Sequence, residues 1–169
     1  MKKTIACILA ILGLSLLAYL GIKGQDIQEI ETKIEIAAPP DKVWRILVNI
    51  EDWQNWSPII KRSKGKAEVG EALDITMVGG VDGEGPQYSP VITQLDAPRT
   101  LRWRAHMISE FMFTNDKVLE LVATPEGSRL VHKEVFTGLL SPLFCGQMEE
   151  GVPPMLKVMN EALKKKAEL

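Results

Sequence analysis

Between Ile60 and Thr137 the sequence alternates short apolar runs with turn-forming residues. The turns recur about every ten to fifteen residues, a spacing typical of an antiparallel sheet in which each strand returns beside the last. A strongly twisted sheet of this size must curl, so its concave face needs another element to cover it. The predicted strands are Ile60–Lys66, Ala72–Val78, Tyr88–Asp96, Thr100–Met107, Phe113–Thr124 and Ser128–Thr137.

The segment before this run predicts one more strand and two short helices. In Ile27–Ala37, isoleucine and threonine alternate with charged residues, which indicates a strand with one buried face. Pro39 and Pro40 then end the strand, and Pro40 suits the first position of a helix that runs to about Asn49. We expect a second short helix over Glu51–Ser57.

The end of the chain predicts a long amphipathic helix. One stripe is apolar, and lysines and glutamates occupy the other faces. Its members are Val152, Met155, Leu156, Met159 and Leu163. Pro153 and Pro154 predict a break or kink between Glu149 and Met155, because proline inside a helix lacks an N–H and costs about 3 kcal/mol.

These elements indicate an α+β fold of one domain, in which a curved antiparallel sheet of about seven strands wraps around the long C-terminal helix. The chain has 169 residues, enough to build a sizeable core. We expect a cavity to remain between the sheet and the helix.

The first 24 residues form a separate apolar segment, and the folded domain is predicted to span residues 25–169. Ile5 to Ile22 carries no charge, and about 18 helical residues span roughly 27 Å, close to the ~30 Å of a bilayer core. Two interpretations remain: an uncleaved transmembrane anchor, or a cleaved signal that leaves a secreted domain. The length of the run and the lack of a clean small-residue cleavage site favour the anchor. Lys2 and Lys3 would then stay in the cytoplasm, which places the domain on the periplasmic or extracellular side.

Charge and composition exclude several functional classes. The net charge is −2 with 25% charged residues, so a clustered basic face for nucleic acid is not expected. With two cysteines, two histidines and no metal-binding spacing, we expect neither a metal nor a cofactor. The glycine-rich stretch Val78–Pro86 lacks the Lys-Ser/Thr ending of a phosphate loop and carries Asp82 and Glu84, so it predicts a hairpin turn or mobile lip.

Candidate catalytic residues are few and weakly supported. His132 and Glu134 share one face of the last strand with Leu130 and Phe136, while Val131, Lys133 and Val135 share the other. The sequence leaves open which face lines the cavity. An inward His132–Glu134 pair would suit general acid–base chemistry, with His106 as another candidate base.

Arg104 alternates with the apolar residues Trp103 and Ala105, so we expect it to face solvent. An inward Arg104 would instead bind a ligand carboxylate or phosphate. Ser141 and Cys145 lack the neighbours of an activated nucleophile.

Candidate cavity residues come from the aromatic and methionine positions. Trp53 and Trp56 lie three apart on the second short helix and can plug the end of the curled sheet, so packing is favoured over ligand contact for both. Methionine side chains suit adaptable pockets. The candidate set is Trp53, Trp56, Trp103, Phe136, Met155 and Met159.

Three segments carry a family resemblance: IEIAAPPDKVWRILVNIEDWQNWSP, LDAPRTLRWRA and MLKVMNEALKKKAE. From about Glu29 to the C-terminus the chain resembles the START-like or Bet v 1-like superfamily (SRPBCC, polyketide cyclase/dehydrase-type). The resemblance implies a helix-grip fold around an apolar ligand cavity. Members carry lipids, sterols or plant hormones, or cyclise or hydrolyse aromatic substrates.

The functional hypothesis is therefore a membrane-tethered module that binds a hydrophobic or amphipathic small molecule, such as a lipid or an aromatic metabolite. The first alternative is a cyclase- or hydrolase-type enzyme acting in the same cavity. It requires a histidine and a carboxylate that both face the cavity at hydrogen-bond distance. The second alternative is a ligand-free domain that binds partner proteins, which an extensive exposed apolar patch would favour.

Overall fold

The computed structural model describes residues 2–23, 27–79 and 83–169. A short 3₁₀ turn over Ile50–Asp52 joins the second and third helices. The elements in chain order are α1 (Lys2–Lys23), β1 (Gln28–Ile36), α2 (Pro40–Val48), α3 (Trp53–Trp56), β2 (Ile60–Lys64), β3 (Asp74–Val78), β4 (Glu84–Tyr88), β5 (Val91–Asp96), β6 (Thr100–His106), β7 (Thr114–Thr124), β8 (Gly127–Thr137) and α4 (Ser141–Ala167).

The strands form two antiparallel sheets, one ordered β1-β8-β7-β6-β5 and the other β2-β3-β4. Main-chain hydrogen bonds join them: Leu73 N donates to Pro90 O over 2.8 Å, and Ile92 N donates to Glu71 O over 3.0 Å. The result is one curved surface with α4 across its concave face, which confirms the predicted α+β helix-grip fold.

The predicted strand Tyr88–Asp96 was wrong in extent, because the chain bends at Ser89 and Pro90 and divides it between β4 and β5. Strand β4 begins within the stretch predicted to be a turn. Strand β4 lies at the edge of its sheet and pairs on one side only. Pro86, which lacks an N–H group, is therefore tolerated there. Val78 pairs with Glu84 across the glycine-rich turn, whose tip, with Asp82, lies outside the described residues.

The strand register aligns the side chains that face α4 into rows. One row crosses four strands through Trp103, Lys117, Glu134 and Ile30. The next row crosses the same strands through Leu101, Leu119, His132 and Thr32. Strand β8 therefore turns its His132–Glu134 face inward, toward the helix.

A glycine closes the hairpin between β7 and β8 beneath the end of β1. Gly127 has φ +145°, and a Cβ there would lie 2.3 Å from the carbonyl oxygen of Ile36. The next residue, Ser128, donates its hydroxyl hydrogen bond to Ala38 O over 2.8 Å. Because any side chain at position 127 would collide with main chain, glycine is what lets β1 and β8 meet closely here.

Helix α4 runs without interruption from Ser141 to Ala167, so the predicted break at Pro153 and Pro154 is wrong. The two prolines remove hydrogen bonds to the carbonyl groups of Glu149 and Glu150. Both glutamates are exposed, so their carbonyl groups can be hydrated. Half-buried Val152 precedes the two prolines and buried Leu156 follows them. Both side chains pack in one apolar cluster against the sheet, which keeps the helix continuous.

The C-terminal half of α4 is fixed to the rest of the fold by polar contacts as well as by its apolar stripe. Lys164 Nζ donates to Glu35 O over 2.6 Å, and Lys166 pairs with Asp52 at 2.9 Å. Ala37 N donates to Glu168 Oε1 over 2.7 Å. This end of the helix is therefore held at β1 and at the 3₁₀ turn.

Helix α1 is apolar and almost entirely exposed. Its segment Thr4–Lys23 is long and apolar enough to cross a membrane, as a membrane anchor or a signal sequence would be.

Candidate functional site

A cavity of about 360 Å³ lies between the sheet and the N-terminal half of α4. Its wall is mainly apolar and contains five of the six residues that the sequence suggested. They are Trp53, Trp103, Phe136, Met155 and Met159. The sixth, Trp56, is not in the wall and instead packs on Trp53, with ring centroids 5.8 Å apart.

Trp53 holds the inner end of the cavity in shape. Its side chain is fully buried, and its indole Nε1 donates to Leu47 O over 3.0 Å, which ties α3 to α2. Its ring also packs against Trp103 on β6, at 5.2 Å between centroids. Trp53 thus has a packing role and also contributes surface to the cavity.

Besides Tyr88 and, at the rim, His106, the apolar wall contains a cluster of three polar side chains: Asn115, Lys117 and Glu134. We call them the polar floor. Lys117 and Glu134 form an ion pair with side chains only 7% and 5% exposed, and Asn115 Nδ2 donates to Glu134 Oε2 over 2.6 Å. The ammonium group also lies over the ring of Trp103, 5.8 Å from its centroid. Each carboxylate oxygen of Glu134 therefore already has a donor.

A chain of hydrogen bonds leads from the polar floor to α4. Lys117 Nζ lies 2.9 Å from His132 Nε2, and His132 Nδ1 lies 2.7 Å from Asn160 Oδ1. Asn160 Nδ2 donates to Thr32 Oγ1 over 2.9 Å. Because an ammonium can only donate, Nε2 accepts and Nδ1 carries the imidazole proton. The chain links β7, β8, β1 and α4 through four buried residues.

The surroundings of His132 keep its ring neutral. Complete burial lowers the pKa of His132 well below its ordinary value, and the positive charge of Lys117 lowers it further. Tyr88, in the cavity wall, is likewise kept uncharged, because burial and the nearby Glu134 carboxylate raise the pKa of its phenol.

The other two catalytic candidates lie elsewhere. His106 is exposed and contributes to the rim of the cavity. Arg104 faces outward, as expected from the alternation on β6. Its guanidinium contacts Asp116 through Nε at 2.8 Å and Nη2 at 3.0 Å, and Arg102 contacts the same carboxylate at 2.8 Å.

Ser141 and Cys145, which lack the neighbours of an activated nucleophile in the sequence, lie in the first turns of α4. Ser141 donates its hydroxyl hydrogen bond to Gly138 O over 2.9 Å at the start of α4, and Cys145 is a free, half-buried thiol. Within residues 2–23, 27–79 and 83–169, no group of three or more His, Cys, Asp or Glu side chains could hold a metal ion.

Lys117, Asn115 and Asn160 were not among the site residues predicted from the sequence. Lys117 lies two and four residues before Leu119 and Leu121, so the strand alternation places it on the apolar face. Asn160 lies beside Met159 in the buried stripe of α4, between Leu156 and Leu163. A polar residue in an apolar stripe was the available signal in both cases.

Comparison with known proteins supports the fold and identifies the family. Residues 28–168 match the family model described as "Polyketide cyclase / dehydrase and lipid transport". No curated protein sequence matches the chain.

Solved structures show the same architecture at low sequence identity. The di-domain aromatase/cyclase StfQ from the steffimycin biosynthetic pathway has a TM-score of 0.69 and 15% identity over 84% of this chain. The match covers 51% of StfQ, so the chain spans about half of that protein. Zhui aromatase/cyclase from Streptomyces sp. R1128 has a TM-score of 0.68 and 16% identity, with 85% of this chain and 94% of Zhui covered.

Ara h 8.0201 is a third structural relative, with a TM-score of 0.66 and 18% identity. The alignment covers 84% of this chain and 98% of Ara h 8.0201. At such identities these likenesses establish the shared fold, while the family follows from the match over residues 28–168. The chain is therefore a member of the polyketide cyclase/dehydrase and lipid transport family.

Proposed function

We propose that this protein is tethered to a membrane and binds a hydrophobic or amphipathic small molecule, such as a lipid or an aromatic metabolite, in the cavity between the sheet and α4. The cavity itself carries the proposal. Its volume of about 360 Å³ lies in the range of small-molecule pockets, and a mainly apolar wall with a few fixed polar groups is typical of them.

The composition of the wall supports binding of an apolar body. Methionines from β3 and α4 contribute to it, and their flexible thioethers adapt to ligands of different outline. They are Met77, Met148, Met155 and Met159. Aromatic rings from α3, β6 and β8 add broad, rigid contact surfaces.

Two features support a function at a membrane. Helix α1 is long and apolar enough to act as the tether, and the lysines before it favour an orientation with the domain on the periplasmic or extracellular side. The loop that follows cavity-lining Met107 also exposes Ile108 and Phe111, which are 76% and 73% exposed. Apolar side chains at the rim favour transfer of a ligand from a lipid phase into the cavity.

The geometry favours binding over the enzymatic alternative. His132 has both ring nitrogens engaged, and the lone pair that a general base would use accepts from Lys117. His106 makes no side-chain hydrogen bond or ion pair with the described residues, so no carboxylate orients it. A large exposed apolar patch away from the cavity would favour the ligand-free alternative. The exposed apolar residues of the loop after Met107 adjoin the cavity, so they favour ligand entry instead.

The test is native mass spectrometry of the full chain extracted in lipid nanodiscs without ligand stripping. We expect a co-purifying apolar compound in the wild type and its loss in Ala105→Phe, because Ala105 lines the cavity and a phenyl ring would fill it. Ala123→Phe is the matched control, since Ala123 is an exposed alanine on a strand. Absence of any compound, or its retention in Ala105→Phe, would contradict cavity binding.

A further inference from the structure

Among the described residues, the ammonium group of Lys117 has fewer acceptors than it has hydrogen-bond donors. A lysine ammonium carries three N–H donors. The described residues offer it two acceptors, His132 Nε2 at 2.9 Å and a carboxylate oxygen of Glu134. Lys117 lines the cavity, so a bound ligand can supply the missing acceptor.

Trp103 provides a second donor without a partner in the same wall. Its indole Nε1 is buried and makes no hydrogen bond with any of the described residues, although its side chain lines the cavity beside Lys117. Buried N–H groups nearly always have an acceptor. Two neighbouring wall residues therefore each lack one acceptor, whereas the acceptor atoms of Glu134 each have a donor.

The charge of the polar floor restricts the ligand further. Lys117 and Glu134 neutralise one another, so a ligand carboxylate or phosphate would add an uncompensated negative charge to an apolar cavity. A ligand cation would meet the Lys117 ammonium. An uncharged oxygen satisfies the free donor without either cost.

We infer that the cavity selects apolar molecules that carry an uncharged acceptor oxygen, a ketone, aldehyde or hydroxyl group, at the end that reaches the polar floor, with Lys117 as the donor. This inference rests on the proposed function, since it names the ligand class for the same cavity. Lys117 is thereby a specificity-determining residue.

The test uses three matched probes with the full chain in nanodiscs: 2-acetylnaphthalene, its hydrocarbon counterpart 2-isopropylnaphthalene, and 2-naphthoate. Binding is followed by quenching of tryptophan fluorescence, and Ala105→Phe in identical nanodiscs gives the background from partition into lipid. A hydrogen bond from a charged donor predicts that the ketone binds about tenfold or more tightly than the hydrocarbon. The naphthoate should bind more weakly than the ketone.

The double variant Lys117→Met/Glu134→Leu removes the donor without leaving a buried lone charge. We expect its ratio of ketone to hydrocarbon affinity to fall close to one. Infrared spectroscopy of 2-acetylnaphthalene bound to the wild type tests the same contact without any variant, and the carbonyl stretch should move to lower frequency than in a hydrocarbon solvent.

Equal binding of ketone and hydrocarbon by the wild type, or an unshifted carbonyl stretch, would overturn the inference while leaving cavity binding intact. A ketone preference that survives in the double variant would also overturn it. If no probe binds above the Ala105→Phe background, the proposed function fails together with the inference.

Discussion

Asp116 and Lys117 are adjacent on β7, yet they belong to two charge clusters on opposite faces of the sheet. On the outer face, Asp116 pairs with Arg102 and Arg104, whose side chains are 36% and 38% exposed. On the inner face, Lys117 pairs with Glu134, and the two side chains are 7% and 5% exposed. The carboxylate is buried in both clusters, since the Asp116 side chain is only 6% exposed, but the cations differ: the two arginines reach solvent and Lys117 does not.

The two clusters differ in what they contribute to the stability of the fold. Solvent around the arginines screens the outer pairs, so each contributes at most about 1 kcal/mol. The inner pair has lost most of its hydration, and apolar residues of similar volume often serve stability as well or better. We therefore connect the inner cluster with the cavity it borders and the outer cluster with the sheet surface.

The largest effect should come from breaking the inner pair. Lys117→Met leaves the Glu134 carboxylate buried without its cation and should lower the free energy of unfolding by about 3–5 kcal/mol. Denaturant titration of the full chain in micelles, followed by tryptophan fluorescence, measures this change.

Lys133→Met is the matched control for that measurement. Lys133 lies on the outer face of β8 and pairs with Glu29 and Glu31 at 3.5 and 3.4 Å. The Lys133→Met substitution should lower the free energy of unfolding by about 1 kcal/mol or less. Similar losses in the two variants would show that burial does not distinguish the clusters.

A smaller loss is expected from the end of the inner hydrogen-bond chain. Asn160→Leu removes the acceptor of His132 Nδ1 and the donor to Thr32 Oγ1, and it should lower the free energy of unfolding by about 1–3 kcal/mol. Lys157→Leu on the exposed face of the same helix is the control. An unchanged stability in Asn160→Leu would mean that the chain does not hold α4 to the sheet.

The inner cluster should also make stability depend on pH. Since the pKa of His132 is well below its ordinary value in the folded protein, only the unfolded chain takes up this proton just below pH ~6.5. The free energy of unfolding should then fall with decreasing pH, by up to ~1.4 kcal/mol per pH unit, until the folded pKa is reached. Well above the pKa of His132 in the unfolded chain, the free energy of unfolding should not depend on the protonation of His132.

Unfolding titrations of the wild type and of His106→Gln between pH 7.5 and 5 measure this dependence. Because His106 is exposed, His106→Gln should keep the slope. A ¹⁵N NMR spectrum at pH 6 should show His132 as the neutral tautomer protonated at Nδ1. A charged ring at that pH would contradict the assignment.

The smallest effect is expected on the outer face. Burial raises the pKa of Asp116, but the hydrogen bonds from Arg104 and Arg102 lower it more, so the pKa lies below its ordinary value. The stability from these pairs should therefore be present above pH ~4 and be lost only in stronger acid. In Asp116→Asn, the two arginines can hydrate, and the loss should be about 1 kcal/mol and should shrink in high salt. A salt-independent loss of several kcal/mol would show that the outer cluster is not screened.

Most of the fold was predictable because strand alternation and helix periodicity report burial directly. The order of elements, the tryptophan pair on a short helix and the apolar stripe of α4 all follow from such patterns. Strand β8 was ambiguous because both of its faces carry apolar residues, Leu130 and Phe136 on one and Val131 and Val135 on the other. Only its pairing with β7 and β1 decides which face turns inward.

The polar floor was not predictable as a unit because its members come from different strands. Asn115 and Lys117 lie on β7 and Glu134 on β8, and their contact depends on the register of the pair. For α4, the prediction of a break at Pro153 and Pro154 was wrong. Packing on both sides of the proline pair outweighed the local preference against proline in a helix.

The proline pair has a mechanical consequence for α4. Because the carbonyl groups of Glu149 and Glu150 have no i+4 amide donor, bending the helix at that point costs fewer main-chain hydrogen bonds than bending it elsewhere. The half after the prolines is pinned at Asn160, Lys164 and Lys166. The half before the prolines contributes Met148 and Val152 to the cavity wall, so a bend at this point would change the width of the cavity while the pinned half keeps its contacts.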